Sequence, residues 1–141
     1  MKSFEVRSTI DAPSERVWAV LTDARALVTG GLGVARLEGT IAPGSRLTVW
    51  SDANPGRAFP VRVAVFSPHR RMVWESGLPL GLFKAVRQFT LTPRGPRTEF
   101  HMREEFTGLM APIIGRSIPD LTPSFEQFAN GLRTLAERSG R

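Results

Sequence analysis

Cysteine and tyrosine are both missing from this chain of 141 residues, and only two histidines, His69 and His101, are present. Without cysteine the chain has no disulfide, no thiolate metal ligand and no thiol nucleophile. Neither histidine has a carboxylate at the spacing of metal ligands, so we predict no metal and no other cofactor. The segment Gly30–Gly33 lacks the lysine of a phosphate-binding loop, and the absence of tyrosine removes a common general acid.

Long apolar runs are also missing, since no stretch approaches the roughly 20 residues needed to span a bilayer. The first residues alternate between polar and apolar types and include an acid, which is not the pattern of a signal peptide. We therefore expect no transmembrane segment and a cytoplasmic location.

Lysine is scarce, because only Lys2 and Lys84 are lysines and the net charge of +6 comes almost wholly from arginine. The arginines are scattered along the chain, and the nearest approach to a cluster is Arg70-Arg71. A nucleic-acid interface requires a concentrated basic patch. We therefore do not expect nucleic-acid binding, and interpret the charge as a solvated basic surface.

Sequence patterns typical of strands and helices follow one another along the chain, which predicts a single domain over residues 1–141. The opening Phe4–Ile10 alternates with period two and predicts a strand, and Asp11-Ala12-Pro13 ends it and begins the first of two short helices. Six strands follow from residue 36 onward, with a turn signal at Asn54-Pro55-Gly56. The last two strands, roughly 82–92 and 97–107, are joined by a hairpin at Pro93–Pro96.

The C-terminal part changes to helical periodicity. Its apolar residues recur every three or four positions, which predicts one long helix at about residues 120–138, capped by Asp120 or Thr122. Strands joined by hairpins and followed by a helix predict an α+β fold with an antiparallel sheet. The apolar stripe of this helix consists of Leu121, Phe125, Phe128, Leu132 and Leu135.

Four short motifs, in this order of elements, resemble the SRPBCC superfamily, which includes START lipid-transfer domains, birch-pollen-allergen-like proteins and polyketide cyclase/dehydrase-like proteins. The resemblance implies a helix-grip fold, in which a curved antiparallel sheet wraps around the long C-terminal helix and encloses an apolar cavity. It implies no particular activity. The motifs are Ile10-Asp11-Ala12-Pro13-x-x-x-Val17-Trp18-x-x-Leu21-Thr22-Asp23, Met72-x-Trp74, Phe89-x-Leu91-x-Pro93 and Glu104-x-Phe106-x-Gly108-Leu109.

The alternation of side chains assigns one face of each strand to the interior. The apolar side chains on that face exceed what one helical stripe can cover, which predicts a cavity or a ligand between sheet and helix. The inward series comprises Leu47, Val49, Phe59, Val61, Val63, Val65, Met72, Trp74, Phe83, Phe89, Leu91, Phe100, Met102 and Phe106. The predicted ligand-lining residues are Val63, Trp74, Leu78, Leu80, Phe83, Arg87, Phe89, Phe100, Met102, Glu104, Phe106, Met110, Phe125 and Phe128.

Two charged residues, Arg87 and Glu104, lie in register with the inward series. If the hairpin turns at Arg94-Gly95, Arg87 faces Met102, and the two charged residues lie on a diagonal within reach of each other. Because a buried charge is costly unless paired, we predict an ion pair. It is either purely structural or a group that binds or polarises a polar part of the ligand, and these two residues are the candidate catalytic groups.

Access to an enclosed cavity requires a mobile segment, and the loop Gly77–Gly81 with its apolar Leu78 and Leu80 is the candidate gate. We expect Leu109-Met110 to form the opposite lip. The alternative is that the two leucines merely cap the core.

Three functions fit these features. The first is binding of a small apolar molecule such as a lipid, polyketide or aromatic metabolite, by a monomer or homodimer. The second is a polyketide cyclase or dehydratase that uses Glu104 as acid/base and Arg87 to hold an oxyanion. The third is an interaction module whose cavity has collapsed.

Overall fold

The structure, a computed structural model, describes residues 2–138 of the chain. Its strands and helices follow the predicted order of one strand, two short helices, six strands and a long helix. The elements are β1 (Lys2–Ile10), α1 (Ser14–Leu21), α2 (Ala24–Thr29), β2 (Val34–Glu38), β3 (Arg46–Ser51), β4 (Asn54–Ser67), β5 (Arg71–Leu78), β6 (Phe83–Arg94), β7 (Arg97–Thr107), α3 (Ala111–Ile114), a 3-10 turn (Gly115–Ser117) and α4 (Thr122–Arg138).

All seven strands form one antiparallel sheet in the order β1-β7-β6-β5-β4-β3-β2. Five hairpins connect β2 to β7 in sequence, and β1 closes the order by pairing with β7. The predicted α+β, helix-grip architecture is confirmed. Among the described residues, no helix combines the length and apolar character needed to cross a membrane.

Two helices, α2 and α4, begin with an aspartate that caps their first turn. The Asp23 carboxylate accepts hydrogen bonds from the backbone N–H groups of Arg25 and Ala26 at the start of α2. At the start of α4, the Asp120 carboxylate accepts from the Thr122 N–H at 3.0 Å, so Asp120 rather than Thr122 supplies the capping side chain. This bond lowers the pKa of Asp120, since the bond favours the charged form.

Helix α4 runs along β1 and buries its apolar stripe against the inner face of the sheet. Phe125, Phe128 and Leu132 are buried, while Leu121 and Leu135 are partly buried against the core. The predicted stripe is therefore confirmed. Burial of each such side chain stabilises the fold by about 1.5–3 kcal/mol, which is what fixes the helix across the sheet.

Two predictions about β4 were wrong. The turn before it lies at Asp52-Ala53, and Asn54 already belongs to the strand. A β-bulge between Val63 and Val65 then reverses the alternation. Val65 consequently has 37% of its surface exposed, and Phe66 instead contacts the Trp18 ring at a centroid distance of 5.1 Å.

Candidate functional site

One row of inner-face side chains crosses the middle of the sheet and contains both charged candidates. The strand registers place Val63 beside Trp74, Trp74 beside Arg87, Arg87 beside Glu104, and Glu104 beside Phe4. Because paired residues share a face, these five side chains lie side by side. The row therefore places an ionic pair and an indole within an otherwise apolar surface.

The two charged residues form a bidentate ion pair. Arg87 Nε donates to Glu104 Oε1 at 3.1 Å, and Arg87 Nη2 donates to Glu104 Oε2 at 3.2 Å. The side chains retain 26% and 13% of their exposure, so the pair is mostly buried but reachable. The guanidinium also lies over the Phe125 ring, 5.0 Å from its centroid, which is cation–π geometry. The pairing of these two residues is as predicted.

The predicted hairpin register was wrong by two residues. The turn consists of Gly95-Pro96, because Arg94 pairs with Arg97, and not of Arg94-Gly95. Arg87 therefore faces Glu104 directly instead of lying on a diagonal to it. A shift of two residues preserves the side-chain alternation, so both residues remain on the inner face.

Trp74 contributes an unsatisfied donor to the row. It is 4% exposed, and its Nε1–H is buried without a hydrogen-bond partner among the described residues. Leaving a buried donor unpaired costs about 1–3 kcal/mol, so such groups are rare in folded proteins. This N–H therefore needs an acceptor that residues 2–138 do not supply. The sequence predicts Trp74 as an apolar lining residue, and nothing in the sequence signals that its donor is unpaired.

The centre of the sheet beneath α4 is filled by aromatic rings. Phe128 contacts Phe89 and Phe100 at centroid distances of 5.8 and 6.2 Å, and the Trp74 ring packs edge-on against Phe89 at 5.0 Å. These residues belong to one continuous hydrophobic core. The part of the predicted lining that is built into this core comprises Val63, Trp74, Phe89, Phe100, Met102, Phe125 and Phe128.

Toward the other edge of the sheet, the inner face is more open. Val49 and Val61 are only partly buried, and Phe59 has 38% of its surface exposed. At the end of β5, Leu78 is 48% exposed, and nearby Phe83 stacks on Phe106 with centroids 6.0 Å apart. The accessible apolar surface therefore lies beside Trp74 and Arg87 rather than under the middle of α4.

The two segments predicted to face each other across an opening are instead joined. Leu109 N–H donates to the Gly81 carbonyl at 3.1 Å, and Met110 N–H donates to the Leu82 carbonyl at 2.7 Å. Leu109-Met110 is thus the neighbour of the Gly77–Gly81 loop and not its opposite lip. Leu80 is 92% exposed; its role in ligand access stays a prediction.

A cluster of charged and histidine side chains on β1 and β7 lies on the opposite face of the sheet. His101 is on the outer face, where its ring and Arg103 both contact the Glu5 carboxylate, and hydrogen bonds from Arg103 and then His101 lower the pKa of Glu5. No group of three potential metal ligands occurs within residues 2–138. A surface groove of about 430 Å³ between β1 and α4 is lined by polar residues such as Glu126 and Arg133 and includes none of the predicted lining.

The chain belongs to the family described as polyketide cyclase/dehydrase and lipid transport, whose sequence profile matches residues 1–139. This match confirms the resemblance that its motifs carry. No curated protein gives a significant sequence match to the chain.

Solved structures share the fold at low sequence identity. Protein MLL2253 from Mesorhizobium loti is 22% identical, with a TM-score of 0.76 and 98% of each chain covered. The ZhuI aromatase/cyclase from a Streptomyces species is 15% identical, with a TM-score of 0.76, over 99% of this chain and 96% of that one. A truncated norcoclaurine synthase from Thalictrum flavum is 16% identical, with a TM-score of 0.70, over 95% and 92% of the two chains.

Proposed function

We propose that the protein binds a small, mostly apolar molecule that carries an oxygen acceptor, such as a lipid, a polyketide or an aromatic metabolite. The apolar body would lie on the open inner face around Val61, Phe59 and Leu78. The oxygen would accept a hydrogen bond from Trp74 Nε1–H, beside the Arg87–Glu104 pair.

The unpaired indole N–H of Trp74 is the observation that carries this proposal. A purely structural tryptophan at this position would bury its donor against a carbonyl or a hydroxyl, or be replaced by phenylalanine without loss. A ligand acceptor supplies the missing bond, and the low dielectric of the surrounding apolar side chains strengthens it.

The Arg87–Glu104 ion pair places a second polar group on the inner face beside Trp74. Arg87 already directs two N–H groups at Glu104, but a guanidinium has five donors, and its side chain is 26% exposed. Arg87 can therefore hold Glu104 and reach a ligand oxygen at the same time. The predominantly apolar surface with a few convergent polar groups is typical of a small-molecule site.

A cyclase or dehydratase activity is the second candidate, and the description of the family favours it. In that case Glu104 would move a proton to or from the ligand, and Arg87 would hold the developing oxyanion. A linear poly-β-ketone distinguishes the two. An enzyme converts it, and Glu104→Gln abolishes turnover while ligand binding persists; a binding protein leaves it unchanged.

The binding proposal can be tested with the naphthalene ketone Prodan, whose fluorescence reports an apolar environment. Trp74→Phe removes the N–H donor but keeps an aromatic ring, so we expect Prodan affinity to fall by about three- to tenfold, the range of one hydrogen bond. Dimethylaminonaphthalene has the same rings without the carbonyl, and its affinity should change much less.

Trp50→Phe is the matched control, because Trp50 lies on the outer face beneath the Arg36 guanidinium, 4.8 Å from its ring centroid. Its Prodan affinity should equal that of the unmodified protein. Equal losses for the ketone and for the carbonyl-free probe in Trp74→Phe would refute the hydrogen bond. No Prodan binding at all by the unmodified protein would favour the interaction module with a collapsed cavity.

A further inference from the structure

Four exposed leucine and isoleucine side chains gather at one end of the sheet. Leu78 is the last residue of β5 and Leu80 lies in the loop after it, while Leu109 follows β7 and Ile113 lies in α3. They are 48%, 92%, 80% and 65% exposed, respectively. We call these four residues the apolar tip. Single exposed apolar residues are ordinary, but a cluster of large ones marks a contact surface.

The two segments of the apolar tip are held together as one unit. The backbone hydrogen bonds from Leu109 to Gly81 and from Met110 to Leu82 tie them directly. Gly108 permits this approach, because it has a φ of 112° and a Cβ there would lie 2.8 Å from the Leu82 carbonyl oxygen. The leucines are therefore presented by a fixed platform and not by independent loops.

Leu80 is held in an unfavourable conformation that keeps its side chain in solvent. Its φ of 61° lies in the left-handed region, which a leucine rarely occupies. Backbone strain of this kind is found where a surface has a function. This φ closes the turn in which the Leu82 N–H donates to the Pro79 carbonyl at 3.2 Å, and the turn leaves the Leu80 side chain in solvent, free to contact a partner.

Within the two segments themselves, the charged residues are cations. Neither segment contains an acidic residue between positions 77 and 84 or between positions 108 and 119, whereas both contain a cation, Lys84 and Arg116. Lys84 is 55% exposed and pairs with Glu75 on the neighbouring strand, and Arg116 is exposed. The tip thus combines exposed apolar side chains with the exposed cation Arg116 on a chain of net charge +6.

We propose that the apolar tip docks on the surface of an anionic lipid bilayer. Its leucines and isoleucine enter the headgroup region, while Arg116 faces lipid phosphates. A second copy of the chain fits less well, since two copies that each carry a net charge of +6 repel one another. The tip adjoins the open end of the candidate site at Leu78, so docking would bring that site to the membrane.

Co-sedimentation with vesicles tests this directly. The full chain is mixed with vesicles of phosphatidylcholine alone or of phosphatidylcholine with phosphatidylglycerol, and the bound fraction is measured. We expect binding to the anionic vesicles and its loss at high salt. Leu109→Ser with Ile113→Ser should lower the partition coefficient by about tenfold or more, and Arg116→Gln by about fivefold.

Val65→Ser is the control, because Val65 is 37% exposed on β4 and lies outside the tip; its binding should match that of the unmodified chain. Thermal unfolding checks that each variant is folded. Absence of vesicle binding, or equal binding by the tip variants, would overturn the proposal. The proposal would also be overturned if the chain does not bind vesicles but forms a dimer, detected by light scattering, that the combined Leu109→Ser and Ile113→Ser variant dissociates. Prodan affinity measured without vesicles reports on the candidate site separately, so either proposal can fail alone.

Discussion

Replacing Arg87 with methionine should destabilise the protein, because Glu104 would be left without its ion-pair partner. Methionine keeps much of the side-chain length and its contact with Phe125, so the change removes mainly the guanidinium. Glu104 would then keep a carboxylate whose side chain is only 13% exposed. Such a group loses its compensating charge and both of its hydrogen bonds at once.

The size of the effect follows from the burial of the pair. Removing one partner from a fully buried ion pair costs about 3–5 kcal/mol, whereas an exposed pair contributes roughly 0–1 kcal/mol. Arg87 is 26% exposed, so water can partly solvate what remains, and we expect a loss of about 2 kcal/mol. For a chain of this length, that corresponds to a decrease in Tm of roughly 5–10 °C.

Chemical and thermal unfolding of four proteins provide the assay. Arg87→Met combined with Glu104→Leu removes both charges and should recover most of the loss, because well-packed apolar residues can replace a buried pair. Arg94→Met is the matched control. Arg94 pairs with Glu99 at 3.3 Å on the same two strands, but the side chains are 62% and 51% exposed, so its effect should stay within about 0.5 kcal/mol.

A loss of stability in Arg87→Met as small as that in Arg94→Met would contradict the buried pair. A double variant no more stable than Arg87→Met alone would also contradict it, since the cost would then come from lost packing and not from an unpaired carboxylate.

Three further predictions concern stability. Phe128→Ala should lower the free energy of unfolding by about 3–5 kcal/mol, because its ring is 3% exposed and packs between two other buried rings; a loss under 1 kcal/mol in chemical denaturation would contradict the packing. Asp120→Asn should lower the Tm at neutral pH. Because the pKa of Asp120 is lowered in the folded protein, its contribution to stability is present above about pH 4 and disappears as the pH falls through the folded-state pKa. The Tm values of the unmodified protein and of Asp120→Asn should therefore converge in acid. Leu80→Asp should leave the Tm nearly unchanged, since the side chain is 92% exposed, and a large decrease would place that leucine in the core.

The sequence was sufficient to predict the order of the elements. Two local signals carry this information: apolar residues alternate with period two in β1 and β4, and they recur every three or four positions from Leu121 to Leu135. Each pattern indicates which face of its element is buried. The ion pair was also predictable, because a shift of two residues in the hairpin leaves Arg87 and Glu104 on the same face.

Features that depend on tertiary geometry were not predictable in the same way. The bulge after Val63 exchanges Val65 for Phe66 in the core, although the sequence Val-Arg-Val-Ala-Val continues the alternation without a break. The unpaired N–H of Trp74 depends on the absence of any acceptor within its reach among residues 2–138, which only the tertiary structure shows. The joining of Gly81 to Leu109 requires the end of β7 to lie beside the start of β6, which only the exact register determines.

The indole resonances of the three tryptophans offer the most direct test of the binding proposal. In a ¹⁵N–¹H correlation spectrum, each Nε1–H gives one peak, and replacement of each tryptophan by phenylalanine assigns it. Titration with Prodan should shift the Trp74 peak strongly, because its N–H acquires an acceptor, while the Trp18 and Trp50 peaks stay in place. A Trp74 peak that does not move at saturating Prodan would contradict the proposed site.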